Sequence, residues 1–325
     1  MDAVLPQPDL IERLFGAVKS ADLSGVKSAL ADGANPGFKD WTQTTALHMS
    51  VKLDDHPEIV AAIADAVNVK MRSDVVDACD LTGATPLVRA AALNRLGAAK
   101  VLLAQGADPN IIPMSTFHAL YGAAANGHVK MCNLLLDHGA KIEQESDRGL
   151  RPLHGACKGG HWDCAESLIE RGADVLALDV GQESPIQVAM RAGLIPFRRV
   201  FERSGLGVSV TLPRIGSLLH LAIREKAIDV FSYLLDAGAN AEFVLELGKD
   251  DETEGVSLSP LFYAIMMTGR AAMVARLLEH GVDLDALNEH TPESWAEAQG
   301  NEECAAILRA HRARQRLSGA LQPAP

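Results

Sequence analysis

Residues 80–92 read Asp80-Leu-Thr-Gly-Ala-Thr-Pro-Leu-Val-Arg-Ala-Ala-Ala92. Thr85 supplies a hydroxyl cap for a helix N-terminus. Pro86 sits just inside it, where its missing N–H costs nothing. The run of small residues that follows lets neighbouring helices approach closely. Further on, Val101-Leu102-Leu103 gives a second helix its apolar stripe, and Gly106 ends that helix as a stop that tolerates positive φ. A polar stretch at Asp108-Pro109-Asn110 leads onward. This is one helix–turn–helix unit.

The unit recurs. Gly106-Ala107, Gly139-Ala140, Gly172-Ala173, Gly205-Leu206 and Gly238-Ala239 follow one another at intervals of 33 residues. A second marker keeps the period: Thr85-Pro86-Leu87, His118-Ala119-Leu120, Arg151-Pro152-Leu153, Ser184-Pro185-Ile186 and Ser217-Leu218-Leu219. Its middle residue lies 20 residues before the glycine in all five units. A fixed offset between two markers at such a period is the signature of a repeat array. Size agrees, because single cores stop growing near 250–300 residues and the chain has 325.

Asp80-Leu-Thr-Gly-Ala-Thr-Pro-Leu87 and Arg151-Pro-Leu-His-Gly-Ala-Cys-Lys-Gly-Gly-His161 resemble the ankyrin repeat signature, D-x-x-G-x-T-P-L-H-x-A-A-x-x-G-H. The resemblance covers residues from about 10 to 316. It implies an all-α solenoid of about nine stacked helix–turn–helix units, with hairpin-like loops (fingers) at right angles and a concave face. Residues 9–38 read as an N-terminal capping repeat, 39–289 as the array, 290–316 as a C-terminal capping helix pair and 317–325 as a disordered tail. Two insertions break the period. One is near 67–78, lengthening a second helix or its exit. The other is near 246–257, where Glu246, Asp250, Asp251, Glu252 and Glu254 mark a polar, mobile loop. The sixth unit, at Gly205-Leu206-Gly207, is expected to exit irregularly. The eighth has 21 residues from Pro260 to Gly281, one more than usual, which alters its inter-helix turn.

Composition narrows function without naming it. Apolar residues make up 48% and charged ones 22%, ordinary for a folded protein. With 30 Lys+Arg against 42 Asp+Glu, the formal net charge of -12 makes nucleic acid an unexpected partner. No apolar run of about 18 residues is present, so no membrane span is expected. Asp2, Asp9 and Glu12 precede the first Arg, the wrong charge for a secretory leader. Five scattered cysteines form no disulfide framework, which points to a reducing, cytoplasmic setting, or to delivery into another cell if the protein is an effector.

Chemistry-bearing clusters resolve into repeat positions. His154, Cys157, His161 and Cys164 are zinc-ligand types, and a metal-dependent protein built on them is one alternative. The repeat register instead makes His154 and His161 loop and turn residues, and the two cysteines core residues. His48 and His220 share the slot of His154, and His128 that of His161. Asp250, Glu252, Glu254 and Gly255 echo the start of a calcium loop, but Leu261 stands where its bidentate Glu belongs. The basic run Arg309–Arg316 complements a helix C-terminus. No nucleophile–base pattern or phosphate loop is present. No enzyme, metal or cofactor is expected.

The expected function is therefore non-catalytic binding of a protein partner, by a chain that is itself a monomer. A secreted effector or regulatory subunit modulating a partner enzyme is the second alternative. The resemblance places the family's contact positions at Trp41, Thr42, Leu81, Thr82, Met114, Phe117, Arg148, Leu150, Lys158, Arg214, Arg224 and Glu225, none of them a repeat-core residue.

Overall fold

The computed structural model describes residues 7–53, 56–67, 72–112, 117–212, 215–247, 256–284 and 291–320. Met114 and Arg214, the calcium-like residues Asp250, Glu252, Glu254 and Gly255, and residues 321–325 lie outside them. The chain divides into two compact units, residues 1–185 and 186–325.

The first unit stacks five helix pairs in chain order. They are α1 (Gln7–Lys19) with α2 (Leu23–Ala31), α3 (Ala46–Ser50) with α4 (Pro57–Asp65), α6 (Pro86–Ala92) with α7 (Leu96–Ala104), α8 (Ala119–Ala125) with α9 (Val129–Asp137), and α10 (Pro152–Lys158) with α11 (Trp162–Glu170). The extra residues after α4 form a separate short helix, α5 (Arg72–Val76). The insertion near 67–78 therefore does not lengthen α4. Val75 and Val76 are buried, and that burial gives the added turn its anchor.

In the second unit α12 (Pro185–Arg191) pairs with α13 (Leu194–Ser204), α14 (Leu218–Arg224) with α15 (Ile228–Asp236), α16 (Pro260–Met266) with α17 (Ala271–Glu279), and α18 (Pro292–Ala298) with α19 (Glu302–Ala320). Two small antiparallel ladders interrupt the series. The irregular exit after Gly205 leads into β1 (Thr211–Leu212) and β2 (Gly216–Ser217). The flanks of the acidic insertion are β3 (Leu245–Leu247) and β4 (Val256–Leu258), with Glu246 opposite Ser257. This corrects the expectation of a loop over 246–257 at its edges: alternation buries Leu245 and Leu258, and the ladder follows. The tail expected from residue 317 also needs correction, since α19 continues to Ala320.

Local chemistry explains the repetition. Thr85 Oγ1 accepts from Val88 N at 3.2 Å, and Thr291 Oγ1 from Ser294 N at 3.2 Å. At the other end of a pair, Gly172 takes φ +96° to close α11. The next amide then turns back to the helix: Ala173 N donates to Leu168 O at 3.0 Å. Ala107, Ala140 and Ala239 repeat that bond to Leu102, Leu135 and Leu234. Between the helices lie Leu87, Leu120, Leu153 and Leu219 from first helices, and Leu102, Leu135, Leu168 and Leu234 from second helices, all buried. Removing any one of these side chains to Cβ costs roughly 2–5 kcal/mol.

The lengthened turn of the eighth pair has a specific filling. Arg270 is 5% exposed and precedes α17. Its guanidinium donates to Ile223 O and Arg224 O at the end of α14, the latter at 3.0 Å, and to Thr268 O at 2.9 Å. Asn301 Nδ2 does the same for Ile265 O at 2.9 Å, and the His128 ring for Ala92 O at 3.1 Å. In each case the turn of one repeat satisfies a carbonyl at the end of its neighbour's first helix, a group with no partner inside its own helix.

Candidate binding face

Four loops of the first unit share one construction. An acceptor side chain folds back over its own turn: Asp40, Asp80, Ser146 and Asp179. Asp80 Oδ1 accepts from Thr82 N (2.8 Å), Thr82 Oγ1 (2.6 Å) and Ala84 N (3.2 Å). Asp40 accepts the same three groups from Thr42 and Thr44. Such side-chain turns are what Asp and Ser do well in loops. Backbone bonds close each loop, among them Asp80 N to Ala84 O at 3.1 Å and Asp179 N to Glu183 O at 3.0 Å. The fourth residue of each turn is left-handed: Gln43, Gly83, Gly149 and Gln182, with φ between 57° and 77°. Neighbouring fingers are also joined, Leu81 N to Thr42 O and Val180 N to Arg148 O, each at 3.1 Å.

Charge reinforces two of them. Arg89 pairs with the second Asp80 oxygen, its Nε at 2.6 Å. Burial pushes the Asp80 carboxyl up, but the Thr82 and Arg89 hydrogen bonds outweigh it and hold its pKa below the usual range. Lys158 Nζ lies 2.9 Å from both Asp179 Oδ2 and Glu183 Oε2.

Histidines tie the loops to the helices. The Nδ1 atoms of His48, His154 and His220 lie against the backbone N–H of Thr45, Arg151 and Ser217, and their Nε2 atoms reach Ala84 O (3.0 Å), Glu183 O (3.1 Å) and Leu258 O (3.2 Å). An amide donor on Nδ1 and a carbonyl at Nε2 require the neutral ring protonated at Nε2. His118 performs the same task from the cap position, accepting from Tyr121 N and reaching Gln144 O at 2.9 Å. Burial lowers all four pKa values against the carbonyl hydrogen bonds, that of His220 to about 4.

The first residue after the acceptor forms the fingertip. Trp41 is 87% exposed, Leu81 66% and Val180 73%. Met114 belongs to the same register outside the described residues, and Asp147 is the polar exception. Isolated exposed apolar residues are ordinary, but these occupy one structural slot in successive repeats. Val180 was absent from the expected contact set, although the 33-residue ruler places it opposite Leu81 and Met114.

Beside the fingers, a groove of about 480 Å³ runs between α6 and α8, lined by Ala84, Val88, Ala92, Phe117, Tyr121, Gly122, Ala125 and Asn126. Phe117 is part of this groove and not a fingertip. Its ring stacks on Tyr121, centroids 4.4 Å apart. Tyr121 was not anticipated either. Burial raises its hydroxyl pKa, and Lys158 and Arg148 act in the opposite direction.

The remaining expected positions fare unevenly. Thr42 and Thr82 build the fingertips as described, and Arg148 is exposed at one of them. Leu150 is a correction: it is 8% exposed, because Ser146 N donates to Leu150 O and folds the side chain inward. In the second unit Arg224 pairs with Glu225 at 3.3 Å, and Arg191 with the same carboxylate at 3.1 Å. On α19, Arg309 meets Glu297 and Glu302, and Arg312 meets Glu293 at 2.6 Å.

The zinc-like quartet does not converge. His154 is committed to Glu183, the His161 ring lies against Gly127 and Gly159, and Cys164 Sγ is 3.4 Å from Cys132. Burial pushes the Cys157 thiol up to about 12. Among the described residues no group of three or more His, Cys, Asp or Glu is placed to hold a metal ion. No helix among them is long and apolar enough to cross a membrane.

Comparison with known proteins agrees with this architecture. An ankyrin repeat profile matches in three copies, over residues 14–112, 115–200 and 219–317. An ankyrin repeat protein of Fowlpox virus is 34% identical over 136 residues, 41% of this chain and 29% of its own length. The human ankyrin repeat and KH domain-containing protein 1 is 38% identical over 98 residues, 29% of this chain and 4% of its own length. The chain thus spans less than a third of either relative. The crystal structure of the human ASB11 ankyrin repeat domain shares the fold with a TM-score of 0.56, at 24% identity over 70% of this chain and 98% of that one. Ankyrin repeats generally serve as protein–protein interaction modules, a non-enzymatic fold. On its repeat register, its finger and histidine geometry and the extent of the profile match, the chain belongs to the ankyrin repeat family.

Proposed function

We propose that this chain is a non-catalytic binding protein that engages a protein partner through the fingertips and the inner-helix groove of its first unit. The observation that carries the reading is the repeated exposure of Trp41, Leu81 and Val180 at one slot on fingers held rigid from below. Large apolar side chains on a preorganised support are what interfaces use as anchors. All five cysteines are free, which supports a reducing, cytoplasmic setting for the binding event. A regulatory subunit or effector acting on a partner enzyme would use the same face, and an activity assay on the captured partner separates it from a passive scaffold.

Affinity capture with mass spectrometry, followed by titration of the partner against Trp41→Ala and Leu81→Ala, tests the reading. Each truncation is expected to weaken binding by about 2 kcal/mol or more while leaving the melting curve in place. Retained affinity in both variants would remove the fingertips from the interface.

A further inference from the structure

The groove between α6 and α8 differs from the fingertips in being a cavity with a chemical asymmetry. Its walls are Val88, Phe117 and the face of Tyr121; its floor is opened by small residues at Ala92, Gly122 and Ala125. A Cβ built on Gly122 meets nothing nearer than Ala92 Cβ at 3.8 Å, ordinary van der Waals contact, so the space is real. Phe117 is 38% exposed on its rim although stacked on Tyr121. A volume of this size takes one or two large apolar side chains.

One end of the groove is electropositive. The Tyr121 hydroxyl makes no hydrogen bond to any described residue, and the charged groups acting on it, Lys158 and Arg148, are both cations. Lys158 is neutralised by Asp179 and Glu183. Arg89, on the groove's own helix, is neutralised by Asp80. Arg148 has no ion pair among the described residues: its backbone N–H and C=O are used within the fingers, while its guanidinium is exposed. Asp147 beside it is exposed too, and does not pair with it. In a chain of net charge -12, this leaves a cation and a hydroxyl donor together at the mouth of an apolar slot.

Resting on the binding function proposed above, we infer that this groove receives an acidic peptide segment of the partner, with an apolar side chain in the slot and an adjacent carboxylate on Arg148 and the Tyr121 hydroxyl. The planar guanidinium takes a carboxylate in two parallel hydrogen bonds, and the aromatic walls take the side chain. One free cation suits one or two carboxylates. It does not suit a polyphosphate backbone, whose binding draws on many cations at once.

The test uses the full chain and fluorescein-labelled peptide pools of about nine residues. The first pool has Leu or Phe at the centre and Asp or Glu on one side. A second carries Lys or Arg in place of the acids, and a third has Ser at the centre. Anisotropy is expected to show binding of the first pool alone. Arg148→Glu and Gly122→Leu, the latter filling the slot while improving helix propensity, should each weaken it at least about tenfold. Lys130→Glu, a charge change on the exposed side of α9, should leave it unchanged. Circular dichroism checks that Gly122→Leu folds, and Arg148→Glu, at an exposed fingertip, gives an independent reading if it does not. Equal binding of the basic or serine pool, or indifference to Arg148→Glu, overturns the inference. If a captured protein partner is lost with Trp41→Ala yet retained by both groove variants, the groove assignment falls and the binding function stands. A chain that captures no protein at all overturns both.

Discussion

Replacing His220 by glutamine isolates one of the buried imidazoles that tie the stack together. The ring is fully buried, its Nδ1 against the Ser217 cap and its Nε2 on Leu258 O of β4, with Phe243 and Tyr263 rings packed about it at 6.0 and 5.4 Å. Nothing in that setting stabilises a second proton, and burial holds its pKa at about 4 where an unfolded chain has 6.5. The unfolded chain therefore takes up the proton first as pH falls. The stability contributed is complete above about pH 6.5, is lost between there and about pH 4, and levels off below. At 1.36 kcal/mol per pKa unit the full loss is about 3 kcal/mol. His220→Gln keeps an N–H donor but has no titrating proton. Near neutrality it should be the less stable protein by about 1–2 kcal/mol, through imperfect replacement of a buried hydrogen bond. The gap should close or reverse by pH 4.5. Urea unfolding at steps from pH 7.5 to 4.5 measures this. In a Trp41→Phe, Trp162→Phe background, Trp295 of the second unit is the fluorescent reporter, packed on Phe262 at 6.1 Å. His48, His118 and His154 titrate in the same direction but lie in the first unit, so they act alike in both proteins. Parallel loss of stability in the two proteins, or an NMR titration of the His220 ring near 6.5, would refute the argument.

Other perturbations follow the same logic. Arg270→Ala should cost about 2–4 kcal/mol in urea unfolding, since it removes charged hydrogen bonds and strands the Ile223 and Arg224 carbonyls; Arg270→Lys, a point charge without the fork, should recover only part. Gln182→Gly should stabilise the chain by about 0.5 kcal/mol, because a left-handed non-glycine residue costs more than glycine's extra flexibility. Gly149→Ala should do the reverse: φ is +67° and its Cβ would come within 3.1 Å of Val180 N, the amide that joins two fingers. A drop in melting temperature for Gln182→Gly, or none for Gly149→Ala, would contradict the finger geometry. Cys132→Ser should cost about 1–3 kcal/mol in the same unfolding assay by burying a poorly paired hydroxyl against Cys164.

The fold was legible because each repeat announces itself through local causes. Thr85-Pro86 caps a helix whatever its neighbours are, Gly172 ends one, and the interval between such marks survives across five units. What escaped depends on where a side chain goes after the backbone is fixed. Leu150 reads as a loop residue, but it occupies the closing slot of a finger, with Thr44, Ala84 and Glu183, and the hydrogen bond from Ser146 N turns that slot inward. Burial of Thr44 and Ala84 in the same slot shows that the position, not the leucine, decides. The alternation in Leu245-Glu-Leu247 and Val256-Ser-Leu258 is a strand signal, outweighed in a count of acidic residues that lie mostly between the two. Arg270 shows the limit most clearly. One surplus residue signals an altered turn, yet a guanidinium enters the interior only because the end of α14 presents two carbonyls with no helical partner.

The binding face has the opposite character. Stacking needs the cap, the leucines, the histidine bridge and the closing glycine, and these are fixed by the period. The residue after each finger acceptor is free of that demand, which is why Trp41, Leu81, Asp147 and Val180 differ so widely on one backbone. Phe117 and Tyr121, one helical turn apart, would be core residues if their neighbours were large. Because Ala92, Gly122 and Ala125 are small, the same two rings line an open groove instead. Recognition in this chain is therefore written in positions where the repeat makes no claim, and in gaps that only the packed neighbours define.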